Sequence, residues 1–237
     1  MKVIAIASRK GGSGKTTLAG HLAVQAEQAG DGPVALIDVD PQGSLADWWN
    51  RRAAPTPVFV QTALADLAND IDRLRDAGIK ILIIDTPPAL TSAIGDVIKL
   101  SDLVVIPSRP SPHDLRSIGA TVELVEHLGK PLIFALNAAT PRARITAEAV
   151  AILSKHGLLA PVIIHQRVDF ASSMIDGRTV MELPGDSRSA AEIGKLWKYL
   201  AGRLEGNLQR SVLPALPAAS AADKIFAVAG GGRQIIR

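Results

Sequence analysis

Seven short apolar runs punctuate the chain: Val3–Ala7, Val34–Asp38, Val58–Gln61, Ile81–Asp85, Leu103–Pro107, Leu132–Leu136 and Val162–His165. They are rich in Val, Ile and Leu and alternate little with polar residues, which predicts parallel strands covered on both faces. Between them lie stretches with helical spacing, at about 16–29, 63–77, 92–100, 114–128, 145–156 and 188–205. Strand alternating with helix predicts an α/β fold: a doubly wound, mostly parallel sheet with helices on both faces and ligands at the carboxyl ends of its strands. From about Gly206 the pattern gives way to Ala, Pro, Ser and Gly. Residues 1–205 are therefore expected to form one domain and 206–237 a flexible tail.

Composition narrows this picture. With 237 residues, 47% hydrophobic and 21% charged, the chain has enough apolar surface for a single globular core. It contains no cysteine, which excludes disulfide scaffolds, thiolate metal sites and a cysteine nucleophile. No apolar run approaches the length of a membrane-spanning helix, and the first strand begins so early that a signal peptide is not expected. A cytoplasmic protein is the simplest expectation. The formal charge of +3 is too small to favour an anionic partner by more than a little.

The candidate chemistry starts where the first strand ends. Residues 8–17 read Ser-Arg-Lys-Gly-Gly-Ser-Gly-Lys-Thr-Thr and are followed by a helical pattern. Strand, glycine loop, lysine, threonine and helix in this order form a phosphate-binding loop. Gly11, Gly12 and Gly14 allow a tight turn whose N–H groups point inward at phosphate oxygens, together with those of Ser13 and Thr17. The helix N-terminus adds a positive dipole end. Lys15 is placed to reach the β- and γ-phosphates, and the Thr16 hydroxyl to ligate Mg²⁺. A second lysine, Lys10, opens the loop where the common pattern has glycine.

Two acidic motifs follow. Val34-Ala35-Leu36-Ile37-Asp38-Val39-Asp40-Pro41-Gln42-Gly43 ends a buried strand in two carboxylates spaced i, i+2. In a phosphate site such groups hold Mg²⁺ through water or orient an attacking water. Ile81-Leu82-Ile83-Ile84-Asp85-Thr86-Pro87-Pro88 ends a second strand in one aspartate.

In order and spacing these motifs resemble the deviant Walker A ATPases of the ParA/MinD family, over about residues 1–205. The resemblance implies a P-loop fold, ATP and Mg²⁺, and slow hydrolysis of ATP. It implies that Lys10 reaches across a homodimer to the partner's nucleotide and that Asp40 positions the hydrolytic water. Asp38 and Asp85 are implied near the metal's water shell, and Thr86-Pro87-Pro88 in a segment that senses the γ-phosphate. Asn137, at the end of Leu132–Asn137, falls where relatives place an adenine-reading amide. Val104–Ser111 and the helix from Asp114 resemble the family's next strand, loop and helix. The lack of cysteine separates the chain from cluster-holding relatives. No helix-turn-helix domain is expected ahead of the P-loop, and no MinD-type amphipathic membrane anchor near the end, where three consecutive glycines, Gly230–Gly232, would break its helix.

The remaining features carry less chemistry. The five histidines show no metal-binding spacing, and Trp48 and Trp49 suit packing. Tyr199 is the sole tyrosine, which argues against a tyrosine kinase with a Tyr-rich tail. On the last helix Ile193, Leu196, Trp197, Leu200 and Leu204 share one face. Arg188, Lys195 and Arg203 line an adjoining one, with Tyr199 among them, Lys198 to one side and Glu192 diluting the charge. That stripe reads either as a solvated face or as a surface for the DNA backbone. The resemblance favours DNA, and so a nucleoid-associated ATPase that positions a plasmid, chromosome origin or protein assembly with a ParB-like adaptor. A regulatory switch and a membrane-surface protein are the alternatives.

Overall fold

The computed structural model describes residues 1–88, 92–185 and 187–206, so the expected tail lies, but for Gly206, outside the described residues. Its centre is a seven-stranded sheet made of β1 (Lys2–Ile6), β2 (Val34–Asp38), β3 (Val58–Val60), β4 (Ile81–Asp85), β5 (Leu103–Ser108), β6 (Leu132–Ala139) and β7 (Leu158–His165). The spatial order is β3-β2-β4-β1-β5-β6-β7. Every pairing is parallel, so all seven strands deliver their carboxyl ends to one edge.

The helices are α1 (Lys15–Gln28), α2 (Ser44–Trp49), α3 (Leu67–Asp76), α4 (Ser92–Leu100), α5 (Pro112–His127), α6 (Arg144–His156), α7 (Val168–Met174) and α8 (Arg188–Leu204). They divide between the two faces. Ile4 and Ile6 of β1 point into a core shared with α1, α2, α7 and α8. Val3 and Ala5 point the other way, toward α3 and α4, and a neighbouring cluster under α4, α5 and α6 completes that face. The period-2 alternation of strand side chains thus splits one continuous apolar run between two cores.

Helix α1 is buried nearly all round because it lies between the sheet, α2 and α8. Gly20 permits this: a Cβ there would sit 3.2 Å from the Trp48 ring. Trp197 of α8 is fully buried and donates its indole N–H to Asp31 at 2.6 Å, which satisfies its one polar atom.

Sequence and structure differ at the short elements. Helices α2 and α7 were not expected, being too short to show a 3.6-residue period. The helix expected over 63–77 begins as a 3₁₀ turn, Leu64–Asp66. Strand β7 starts at Leu158, ahead of the expected Val162, and runs through Pro161. An edge strand tolerates this proline because one side of its ladder is unpaired.

Candidate functional site

The glycine loop joins the central strand β1 to α1. Gly12 and Gly14 adopt positive φ values of 75° and 96°, and Gly14 is the residue that caps α1. Any side chain at Gly14 would meet Asn137, whose Nδ2 lies 2.1 Å from the ideal Cβ position. Lys15, the first helical residue, is 6% exposed, and its ammonium donates to the Lys10 carbonyl at 3.4 Å. Burial pushes its pKa down, opposed by the charges of Asp85 and Asp40. The next side chain, Thr16, donates its hydroxyl to Asp85 Oδ2 at 2.5 Å. Thr17 lines the cleft that opens beside the loop. The Lys10 side chain is exposed at the rim.

Asp85 ends β4, next to β1 in the sheet, and is fully buried. Burial raises its pKa to about 7, with the Thr16 hydrogen bond and Lys15 opposing and Asp38 adding to the rise. Its second oxygen, Oδ1, has no partner among the described residues, and neither has the buried Ser13 hydroxyl. The neighbouring Thr86 hydroxyl bonds the Ile6 carbonyl at 2.9 Å and ties β4 to β1 just below the loop. The expected γ-phosphate-sensing segment is described only through Pro88.

Asp38 and Asp40 both shape backbone. Asp38 Oδ2 accepts from the N–H groups of Leu45 and Ala46 at 2.9 and 3.2 Å, and Oδ1 accepts from Asp40 N–H at 2.9 Å. It serves as a remote cap for α2. Burial raises its pKa against the pull of these donors. Asp40 Oδ1 accepts from Gln42 N–H at 3.0 Å, and Gly43 turns the chain into α2 with φ 64°. This turn presents Asp40 to an open cleft of about 600 Å³. Gly11, Gly12, Lys15 and Thr16 line the cleft beside Asp40, and Trp48 and Met174 form a more apolar wall.

An ammonium, a hydroxyl and an open glycine backbone line this cleft, and a buried carboxylate oxygen without a partner lies behind the hydroxyl. That donor set fits a magnesium nucleoside triphosphate. Thr16 and Asp85 could hold its metal, and Lys15 with the loop N–H groups its phosphates.

The Asn137 side chain lies beneath the glycine loop and donates Nδ2–H to the Ser13 carbonyl at 2.9 Å, which braces the loop. One expectation needs correction. On α8, Tyr199 belongs to the core rather than the basic stripe, and Arg203 leans over its ring at 6.0 Å. Glu192 turns from the stripe to Arg167, from which it accepts two hydrogen bonds of 2.7 Å, while His165 Nδ1–H donates a third at 2.8 Å. Arg188, Lys195 and Lys198 remain on the exposed face.

Nothing in the local sequence marks Arg52. Its guanidinium donates to Glu182 at 2.8 and 3.0 Å, to Gly177 O and Thr56 O at 2.8 Å each, and lies 5.1 Å above Trp48. Trp48 itself donates to Arg178 O at 3.1 Å. These contacts lock the end of α2 to the segment after α7. Gly177 and Glu182 lie 125 and 130 residues from Arg52, and Arg178 lies 130 from Trp48, so no local pattern announces these pairings.

A sheet with its glycine loop after the central strand, a loop lysine on the helix and an aspartate-ended neighbouring strand define a P-loop nucleotide-binding protein. Residues 4–180 match the CobQ/CobB/MinD/ParA nucleotide binding domain, and the chain belongs to that family, which holds the ParA and MinD ATPases. It is 31% identical to Maintenance of carboxysome distribution protein A of Halothiobacillus neapolitanus over 202 residues, 80% of this chain and 91% of the relative. It is 26% identical to the chromosome-partitioning ATPase Soj of Thermus thermophilus over 186 residues, 66% of this chain and 72% of the relative. The fold matches that of a Cyanothece McdA variant in complex with ATP, with a TM-score of 0.68 and 20% identity, over 88% of this chain and 98% of that one.

Proposed function

We propose that this chain is an ATPase that positions a cargo on DNA, cycling between an ADP-bound or empty monomer and an ATP-bound dimer. The observation that carries the reading is the convergence of Lys15, Thr16, Asp85 and Asp40 around one glycine loop. Lys15 and the loop N–H groups hold the triphosphate, Thr16 and Asp85 hold the metal side, and Asp40 orients the attacking water. Bound Mg²⁺ supplies charge neutralisation on the β- and γ-phosphates. Lys10 is exposed at the rim of the same loop, free to reach a facing subunit's phosphates. Asp38 fixes the turn that presents Asp40, so it acts as a positioning residue rather than a metal ligand.

The DNA surface is the exposed face of α8 carrying Arg188, Lys195 and Lys198, with Arg203 at its edge. Dimer formation doubles these charges, which makes DNA affinity depend on ATP. Each phosphate neutralised steepens log K against log salt by about 0.9. Likeness to a carboxysome-distribution protein over most of the chain favours a protein assembly as cargo, with a small adaptor protein stimulating hydrolysis. Likeness to Soj supports a second reading, in which the cargo is a plasmid or chromosome origin bound by a ParB-like protein.

The test is fluorescence anisotropy on unrelated DNA duplexes across a salt series, with and without ATP. Binding is expected with ATP and Mg²⁺, indifferent to sequence and steeply salt-dependent. Lys195→Glu with Lys198→Glu removes it while leaving ATP binding intact. Equal DNA binding without nucleotide would overturn the ATP-gated cycle, and full affinity in the double variant would overturn the α8 surface.

A further inference from the structure

The loop from β5 to α5 reads Ser108-Arg109-Pro110-Ser111-Pro112. Pro110 and Pro112 restrict Arg109 and Ser111 to extended backbone. Ser111 adopts φ −135°, ψ 146°, and its hydroxyl caps α5 by accepting from Asp114 N–H. Its own N–H donates to Arg109 O at 2.8 Å. This backbone is set before any ligand arrives. Strand β5 lies against β1, with Val105 opposite Ile6, so Arg109 leaves its strand beside the glycine loop. There its Nη1 donates to the Gly12 carbonyl across 3.5 Å.

Two further observations concern what surrounds this guanidinium. First, it has no carboxylate partner among the described residues. The acid nearest in sequence, Asp114, is buried and takes its hydrogen bond from Ser111. Second, the space over Gly12 is open: a Cβ built there meets nothing within 4 Å. An unneutralised arginine on a stiff loop therefore rests a single long hydrogen bond on the backbone of a phosphate-binding turn. Asp85 and Thr16 flank β1 from the β4 side, and Arg109 comes from the β5 side.

We propose that Arg109 is a γ-phosphate-binding residue. Its planar fork exchanges the Gly12 carbonyl for two phosphate oxygens. The carbonyl gives up one long contact, and the cation gains a charge-assisted pair. Lys15 engages both diphosphate and triphosphate from within the loop, whereas Arg109 engages the terminal phosphate alone. The residue makes the site distinguish ATP from ADP before any second subunit arrives. This inference rests on the reading of the glycine loop as an ATP site.

The experiment is titration calorimetry of wild type, Arg109→Ala and Arg109→Lys with ADP and with a non-hydrolysable ATP analogue, both with Mg²⁺. Wild type binding both nucleotides upholds the ATP site itself, and wild type binding neither overturns that reading and the inference together. Arg109→Ala is expected to bind ADP as wild type does and the ATP analogue about tenfold or more weakly, with Arg109→Lys between. Equal loss for both nucleotides marks a mere loop brace and overturns the proposal, as does no loss for either. The titrations are run at two protein concentrations a hundredfold apart. A loss present only where the analogue drives dimer formation also overturns it, because Arg109 then acts at the subunit interface.

Discussion

Thr16 and Asp85 lie 69 residues apart in the chain and meet through a 2.5 Å hydrogen bond from the threonine hydroxyl to Asp85 Oδ2. The bond joins the first turn of α1 to the end of β4, and it leaves Asp85 Oδ1 buried without a partner. A buried acceptor in that condition is costly unless a ligand satisfies it. Asp85→Asn keeps the shape and the acceptor facing Thr16 but removes the charge. Mg²⁺-dependent tightening of nucleotide binding should fall about tenfold or more, while metal-free ADP binding stays as in wild type. A magnesium titration of nucleotide affinity checks this, and an unchanged magnesium dependence would count against Asp85 on the metal side.

The two loop lysines are separable. Lys15 is buried in the turn and Lys10 is exposed at its edge. Lys15→Ala should lose ATP binding and every later step. Lys10→Ala should bind ATP as a monomer and form no ATP dimer. Light scattering with ATP is the measurement, and a Lys10→Ala protein that dimerises like wild type removes its role across the interface.

Asp38 and Asp40 are two residues apart and differ in surroundings: Asp38 holds the backbone of α2, and Asp40 lines the cleft. Asp40→Ala should bind ATP, dimerise and persist there, with turnover lower by about 10²-fold. Asp38→Ala removes the acceptor for Leu45 and Ala46 N–H and should cost about 1 kcal/mol of stability, as loss of a helix cap does. Urea unfolding and steady-state turnover distinguish the two. Full stability in Asp38→Ala together with loss of magnesium dependence would return Asp38 to the metal side.

His21 supplies a pH signature. It is fully buried on α1, 2.7 Å from the Thr17 carbonyl, with Nε2 unpartnered. Burial drives its pKa from 6.5 down to about 4, only partly opposed by that carbonyl and by Glu182, with Arg52 adding to the fall. The fold therefore favours the neutral ring. Its contribution is fully present above the unfolded value and is lost as pH falls from 6.5 toward 4, up to about 3 kcal/mol across the window. Thermal melts over that range should show wild type losing stability relative to His21→Leu as pH drops. A constant difference between the two proteins would refute the assignment.

Much of this molecule is written locally. Runs such as Ile81–Ile84 are apolar enough to be recognised as strands covered on both faces, because burial on two sides removes the need for alternation. Lys10–Thr17 and the aspartates at positions 38, 40 and 85 are legible for a related reason. A phosphate turn needs glycines, a lysine and a hydroxyl at adjacent positions, and its acids come at the ends of strands. These requirements act over a few residues, so sequence alone determines the fold class, the loop and the set of acids.

Tertiary structure decided what each group faces. Asn137 is a strand-end amide in the sequence, but packing under Gly14 turned it into a brace for the loop. Glu192 shares a helical stripe with Lys195, but Arg167 and His165 at the end of β7 draw it inward, which leaves Arg188, Lys195 and Lys198 as the exposed charge. Arg52 and Glu182 stand 130 residues apart, and only the closing of α2 onto the segment after α7 brings them into contact. In each case the outcome depends on which buried polar group finds which partner. That is a contest among side chains distant in sequence, settled by the need to satisfy hydrogen bonds once water is excluded.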